Sequence, residues 1–215
     1  MVSSYLKQTK ELFGDELYLD STDSVKNSQN NSAEELDKYY KQIHNCQECQ
    51  LGETRNKFVF GVGDPKANLV LVGEAPGAEE DKLGEPFVGR AGKLLDKILA
   101  AINRSRKKDV YICNVIKCRP PNNRDPLADE VIKCEPYLLK QIEILQPKLL
   151  VALGRVAGKT LLNLESPLKD MRGILHDYHG TPLIVTYHPA ALLRNSGFKP
   201  AAWEDFKWIR SILEN

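Results

Sequence analysis

Four short runs of the chain are almost wholly apolar: Ala67 to Val72, Asp109 to Val115, Leu149 to Leu153 and Thr181 to Tyr187. Three are nearly continuous in Val, Ile and Leu, the composition of strands covered on both faces in a parallel sheet. Between the runs, apolar positions recur at helical spacing over Ala91 to Ala101, Asp129 to Leu145 and Arg155 to Leu162, and again over Pro200 to Leu213 after the last run. This alternation predicts βαβ units, hence an α/β fold with a central, mainly parallel four-stranded sheet and helices on both sides. Ligands of such sheets bind beyond the carboxyl ends of the strands.

Upstream the pattern changes. Tyr5, Leu6, Leu12 and Phe13 suit residues 3 to 14 to a short amphipathic helix, whereas Asp20 to Ser32 holds almost nothing to bury and reads as a disordered linker. The expected division is an N-terminal extension, 1–32, and one folded domain, 33–215, opened by a helix over Glu34 to Ile43. The extension reads either as an inert tail or as a helix that docks a protein partner.

Composition narrows the class. At 215 residues, 42% hydrophobic and 27% charged, the chain can bury a core without staples. No apolar run approaches the roughly 20 residues of a membrane span, and the charged N-terminus lacks the apolar centre of a secretory signal. A cytoplasmic monomer with no membrane contact is expected, its five cysteines reduced. The net charge of +1 decides nothing about partners. Two basic runs stand out, Arg104 to Lys108 and the group Lys117, Arg119, Arg124, each readable as a solvated face or as an anion contact.

The segments after the four runs are "GEAPGAEED", "NVIKCRPPNNR", "GRVAG" and "HPAALLRN". The first has the Gly/Pro outline of a phosphate loop, yet it carries Glu74, Glu79, Glu80 and Asp81 and no Walker Lys or Ser/Thr, so it would repel a phosphate. None of the four carries a Ser–His or Cys–His nucleophile pair. Cys46 and Cys49 form a C-x-x-C whose spacing lets two thiolates reach one metal centre. Cys118 and Cys134 are candidates to complete it, and Cys113, inside a strand, reads as a core thiol. Spacing alone gives neither a zinc ribbon nor a compact ferredoxin pattern, and burial of all five as small hydrophobes is the plain alternative.

Taken together, "GEAPGAEEDKLGEPFVGRAG", "YICNVIKCRPPNNR", "HPAALLRN" and the four cysteines resemble the family 4, iron–sulfur uracil-DNA glycosylases, from about Ser32 to Asn215. The resemblance implies a three-layer α/β/α sandwich, a [4Fe–4S] cluster on Cys46, Cys49, Cys118 and Cys134, and hydrolytic removal of uracil from single- or double-stranded DNA. In a better-known branch of that superfamily an aspartate two residues after the first glycine of the loop activates water. The matching residue here is Ala75, which offers only its backbone beside Gly73.

Uracil excision develops an oxocarbenium cation and a uracil anion, and an acidic loop suits the cation. Glu74 is the first candidate for the electrostatic and water-positioning role. With Ala75 at the aspartate position, Glu80 is the other residue that could supply the catalytic carboxylate; the resemblance places it on the C5 side of the base, where it could help exclude the methyl of thymine, although it also reads as a loop charge. Asn114, ending a strand, can accept from uracil N3–H and donate to O4, or serve a turn. Phe87 reads as a stacking ring or a core plug, and His188 as a donor to uracil O2. Leu192 or Leu193 beside Arg194 could wedge into a duplex or be core. Lys117, Arg119 and Arg124 are candidate phosphate contacts. A noncatalytic nucleotide- or DNA-binding module with a structural metal, a glycosylase for deaminated purines and an electron-transfer protein are the competing readings.

Overall fold

The computed structural model describes residues 32–214, so the helix expected over 3–14 and nearly all of the linker expected over 20–32 lie outside the described residues. A helix α1 (Ser32–Ile43) opens the described chain. A short α2 (Leu51–Thr54) follows the C-x-x-C loop, and then β1 (Val62–Gly63), β2 (Leu69–Gly73), α3 (Ala78–Leu83), α4 (Arg90–Ala101) and β3 (Val110–Asn114). The second half comprises α5 (Ala128–Leu145), β4 (Leu149–Leu153), α6 (Arg155–Leu162), α7 (Leu168–Met171), β5 (His176–Tyr178), β6 (Thr181–Thr186), α8 (Pro189–Arg194) and α9 (Lys199–Glu214).

The four expected strands lie side by side and parallel, in the order β3-β2-β4-β6. Two further strands, β1 and β5, extend the sheet antiparallel at its edges. They were not anticipated because two and three residues are too few to show a period. Successive side chains point to opposite faces, and the core divides accordingly. Val70, Val72, Tyr111, Cys113, Leu150 and Ala152 pack with Leu138 and Ile142 of α5 and Leu161 of α6 on one face. Leu69, Leu71, Val110, Ile112, Leu149 and Val151 pack with Leu95 and Leu99 of α4 and Phe206 and Ile209 of α9 on the other. This is the expected α/β/α sandwich.

The order of strands also locates the site. From β2 the chain crosses by α4 to β3 on one side, then returns by α5 to β4 on the other side of β2. The loops leaving β2 and β4 therefore diverge, which opens a crevice at the carboxyl ends where the winding reverses.

Candidate active site and candidate metal centre

A cleft of about 800 Å³ occupies that crevice, lined from β2 by Glu74, Ala75 and Gly77, from β3 by Asn114, from β4 by Gly154 and Arg155, and from β6 by Tyr187 and His188. At its floor Gly73 is in register with Asn114 across β2 and β3. A Cβ on Gly73 would lie 2.3 Å from Asn114 Oδ1 and 2.8 Å from Phe87 Cε2, so only glycine lets that amide and that ring close on one space. Asn114 is buried and its carbonyl accepts from Lys117 Nζ at 2.8 Å, but its side-chain amide has no protein partner among the described residues. A buried amide left free at a cleft wall presents one acceptor and two donors to whatever enters.

Phe87 is held at φ 55°, an uncommon conformation for a bulky residue. Two contacts fix it. Arg106 donates from Nη1 to Pro86 O and from Nη2 to Phe87 O, both at 3.0 Å, while its Nε donates to Asp96. Helix α4 approaches so closely that a Cβ on Gly92 would sit 1.7 Å from Phe87 O. The Phe87 ring then lies 5.4 Å from the His188 ring at 32°. Arg106 was expected only within a basic run. Nothing in its sequence context marks it as a clamp, because its partners are backbone carbonyls roughly twenty residues away.

His188 caps α8, its Nδ1 accepting from Ala190 N at 3.1 Å. Burial lowers its pKa to about 4, helped by Arg194 and opposed by Glu80. The ring is neutral at physiological pH, and with Nδ1 accepting, the proton sits on Nε2 as a donor. Glu74 is the complementary case. Burial raises its pKa to about 7, Asp125 adds to the rise, and Arg155 opposes it. Its carboxylate has no hydrogen-bond partner among the described residues, whereas Arg155 and Asp125 pair at 3.5 Å across the same cleft.

The other three acidic side chains of the loop separate by role. Glu80 Oε1 accepts from Val88 N at 3.0 Å and Gly89 N at 3.1 Å, which ties α3 to the Phe87 loop. Asp81 is buried and accepts from Asn56 N and Nδ2 and from Lys57 N. Glu79 is exposed and pairs with Lys82.

About the C-x-x-C loop, Cys46, Cys49, Cys118 and Cys134 line one small pocket with Arg55 and Tyr137. Cys113 is apart from them, buried in β3 as expected, its thiol pushed up by burial. Among the described residues no three Cys, His, Asp or Glu donors converge as they would on one ion. The four cysteines nevertheless line the same pocket. Three of the sulfurs accept hydrogen bonds: Cys46 Sγ from Tyr137 Oη at 3.2 Å, Cys118 Sγ from Arg55 Nη1 at 3.4 Å, and Cys134 Sγ from Lys117 N at 3.3 Å. Donors aimed at sulfur suit thiolate ligands of a cluster. Burial pushes the Cys118 thiol up to about 12 and that of Cys134 up to about 11.

The family model of the Uracil DNA glycosylase superfamily matches residues 60–207, which run from β1 into α9 and include every wall of the cleft. The chain belongs to this superfamily. It is 45% identical over 187 residues to the type-4 uracil-DNA glycosylase of Archaeoglobus fulgidus, covering 83% of this chain and 94% of that one. It is 45% identical over 176 residues to that of Thermotoga maritima, covering 80% and 91%. A type-5 uracil-DNA glycosylase of Pyrobaculum aerophilum is more distant, 32% identical over 151 residues, covering 63% and 66%.

Of the expected surface contacts, two are buried by the packing and a third is engaged in an ion pair. Leu192 is 2% exposed and belongs to the core side of α8, so only Leu193, 50% exposed, can insert into anything. Lys117 is fully buried, its ammonium on Asn114 O, and reaches no phosphate. Arg124 lines the cleft but is spoken for: both its terminal nitrogens donate to Glu130, which also accepts from Leu127 N and so starts α5. Arg119 donates to Asn123 Oδ1 at 2.8 Å, and Arg194 stands exposed at the cleft mouth.

Proposed function

We propose that the protein is a DNA-repair hydrolase that cleaves the N-glycosidic bond of uracil in DNA, releasing free uracil and leaving an abasic site. The observation that carries this reading is the pairing of the free Asn114 amide with the Nε2–H of a neutral His188 across a pocket walled by Phe87. The type-4 relatives support it. The glycosidic bond is buried in a duplex, so the nucleotide must leave the stack to reach this pocket.

Within it, the flipped base lies against Phe87. Asn114 accepts from N3–H and donates to O4. Cytosine, with the opposite pattern, would leave buried groups unpaired at about 1–3 kcal/mol each. As the bond from C1′ to N1 breaks, charge develops on the leaving uracil and His188 Nε2–H donates to O2. Ionised Glu74 faces the developing oxocarbenium, orients the water whose oxygen bonds to C1′ and accepts its proton, while the departing uracil anion takes a proton from solvent to leave as free uracil. Ala75 adds no side chain to this chemistry, and Gly73 supplies the gap. Glu80 is a positioning residue that fixes the Phe87 loop through two amides.

Cys46, Cys49, Cys118 and Cys134 would hold a [4Fe–4S] cluster. Such a cluster would cross-link the C-x-x-C loop to β3 and α5 and leave hydrolysis to the cleft. At the surface, Arg194 and Arg119 contact phosphates and Leu193 fills the space the base vacates. Residues 33–215 form the glycosylase domain, and no helix among the described residues is long and apolar enough to cross a membrane.

The test is release of uracil from an oligonucleotide with a single uracil, beside matched thymine, cytosine and hypoxanthine strands, scored by alkali cleavage at the abasic site. Cleavage confined to uracil is expected. Equal cleavage at hypoxanthine would move the activity to deaminated purines, and binding without cleavage would make the protein a noncatalytic reader.

A further inference from the structure

A stack of side chains beside the base pocket has no part in the reactions above. Arg172 lies with its guanidinium carbon 4.4 Å over the Tyr187 ring, and Tyr187 stacks on Phe198 at 4.8 Å and 14°. The ladder is built from below. Asp205, buried on α9, accepts from Arg172 Nε and Nη2 at 2.8 Å each and from Thr186 Oγ1 at 2.5 Å, and Arg172 Nη2 also donates to Ala201 O. At the top, Asn195 Oδ1 accepts from Gly197 N at 2.9 Å and shapes the turn that presents Phe198.

Phe198 ends the ladder. One face is covered by Tyr187, no further ring covers it among the described residues, and the residue is 37% exposed. Both rings line the same cleft as Asn114 and His188, with Arg194 alongside. A rigid, pre-stacked aromatic open at the mouth of a cleft that admits a nucleotide matches the platforms on which single strands lay their bases.

We propose that Phe198, backed by Tyr187 and Arg172, is a second base-stacking subsite, which takes an unpaired base next to the uracil on the same strand. The inference rests on the uracil-DNA reading and adds to it a preference for unpaired substrate. A neighbouring base can lie on Phe198 only after leaving its own duplex stack, so the subsite is filled by single-stranded DNA and empty with a fully paired duplex. Stacking of this kind is worth about five- to a hundredfold in affinity.

The probe is a single-stranded oligonucleotide with a stable tetrahydrofuran abasic analogue in place of uracil and 2-aminopurine on its 5′ or 3′ side, which binds whether or not the protein cleaves uracil. With the wild-type protein, 2-aminopurine emission is expected to be quenched on one flank, and unchanged emission on both flanks overturns the subsite. In Phe198→Leu the ratio of single-stranded to duplex affinity falls about tenfold, while Phe198→Trp keeps it. An unchanged ratio in Phe198→Leu, or an equal fall in Phe198→Trp, overturns stacking in favour of simple packing. Failure of uracil release with quenching intact would overturn the glycosylase reading and leave the subsite standing.

Discussion

The imidazole of His188 accepts from the backbone N–H of Ala190 through Nδ1 at 3.1 Å, so one short hydrogen bond at the start of α8 decides which ring nitrogen holds the proton facing the cleft. The lowered pKa of about 4 keeps that ring neutral. A neutral donor is the right partner for a leaving anion, because it strengthens its bond as charge develops without first binding a base as an imidazolium would bind an anion. His188→Ala should lower kcat by about 10²–10³, the usual cost of losing one such donor, with KM changed much less. A rise in KM with kcat little changed would assign His188 to base binding instead.

The pH dependence belongs to a different group. In the proposed role Glu74, raised to about 7, acts ionised, so activity is lost below that pH. The sign follows: kcat/KM for uracil release should rise about tenfold per pH unit below 7 and level above it. His188, its pKa lowered to about 4, stays neutral above that pH and contributes no limb in that range. Glu74→Gln should lower the plateau and flatten the rise. A profile that keeps its limb near 7 in Glu74→Gln transfers the limb to another group.

In the proposed function, specificity rests on Gly73 and Asn114 together. Asn114→Asp removes the two donors to O4, and uracil release should fall by about 10², while slow release from cytosine appears where the new carboxyl is protonated. Gly73→Ala should cost as much through geometry alone, since its Cβ would lie within 3 Å of both Asn114 Oδ1 and the Phe87 ring. Kinetics on paired uracil and cytosine substrates, with melting temperatures alongside, separates the two. Retained specificity in Asn114→Asp would remove this amide from base recognition.

The layered fold was legible because buried parallel strands are long enough to show continuous apolar runs, as at Leu149–Leu153. The placement of Asn114 and His188 at the cleft was legible for the same reason: each sits at the end of such a run. What sequence could not show is which neighbouring side chains are already engaged. Lys117 and Arg124 read like phosphate ligands until Asn114 O and the Glu130 carboxylate are seen to occupy them. Glu74 and Glu80 are likewise alike in sequence, and only the amides of Val88 and Gly89 mark Glu80 as a brace.

Arg106 offers a test of bracing at a distance. Arg106→Ala frees the carbonyls of Pro86 and Phe87 and should cost about 1–3 kcal/mol of stability, with a higher KM because the Phe87 wall is looser. Arg106→Lys should rescue little, since one ammonium cannot span both carbonyls and Asp96 as the planar fork does. Chemical denaturation and initial rates check this, and full rescue by lysine would reduce the clamp to a point charge.

The cysteine site makes a claim that does not depend on activity. Cys118→Ala should lower bound iron and sulfide and the soluble yield, while Cys113→Ala, at a buried thiol outside the ring of four, should keep the full iron content. Equal iron loss in both variants would mean that general destabilisation, not ligation, sets metal content.

Adjacent leucines on α8 give the last contrast. Leu192 is 2% exposed and Leu193 is 50% exposed, although their sequence contexts are nearly the same. Truncating a buried leucine removes its transfer energy and leaves a cavity, so Leu192→Ala should cost about 2–5 kcal/mol of stability. Leu193→Ala removes a side chain that is half in water and should leave the melting temperature within a degree or two. Its cost should appear instead on DNA, because a wedge fills the gap left by an extruded base. Uracil release from a duplex should slow more than release from a single strand, where there is no stack to hold open. If Leu193→Ala slows both substrates equally, the residue contacts the strand without wedging, and if it slows neither, the duplex is opened by other means.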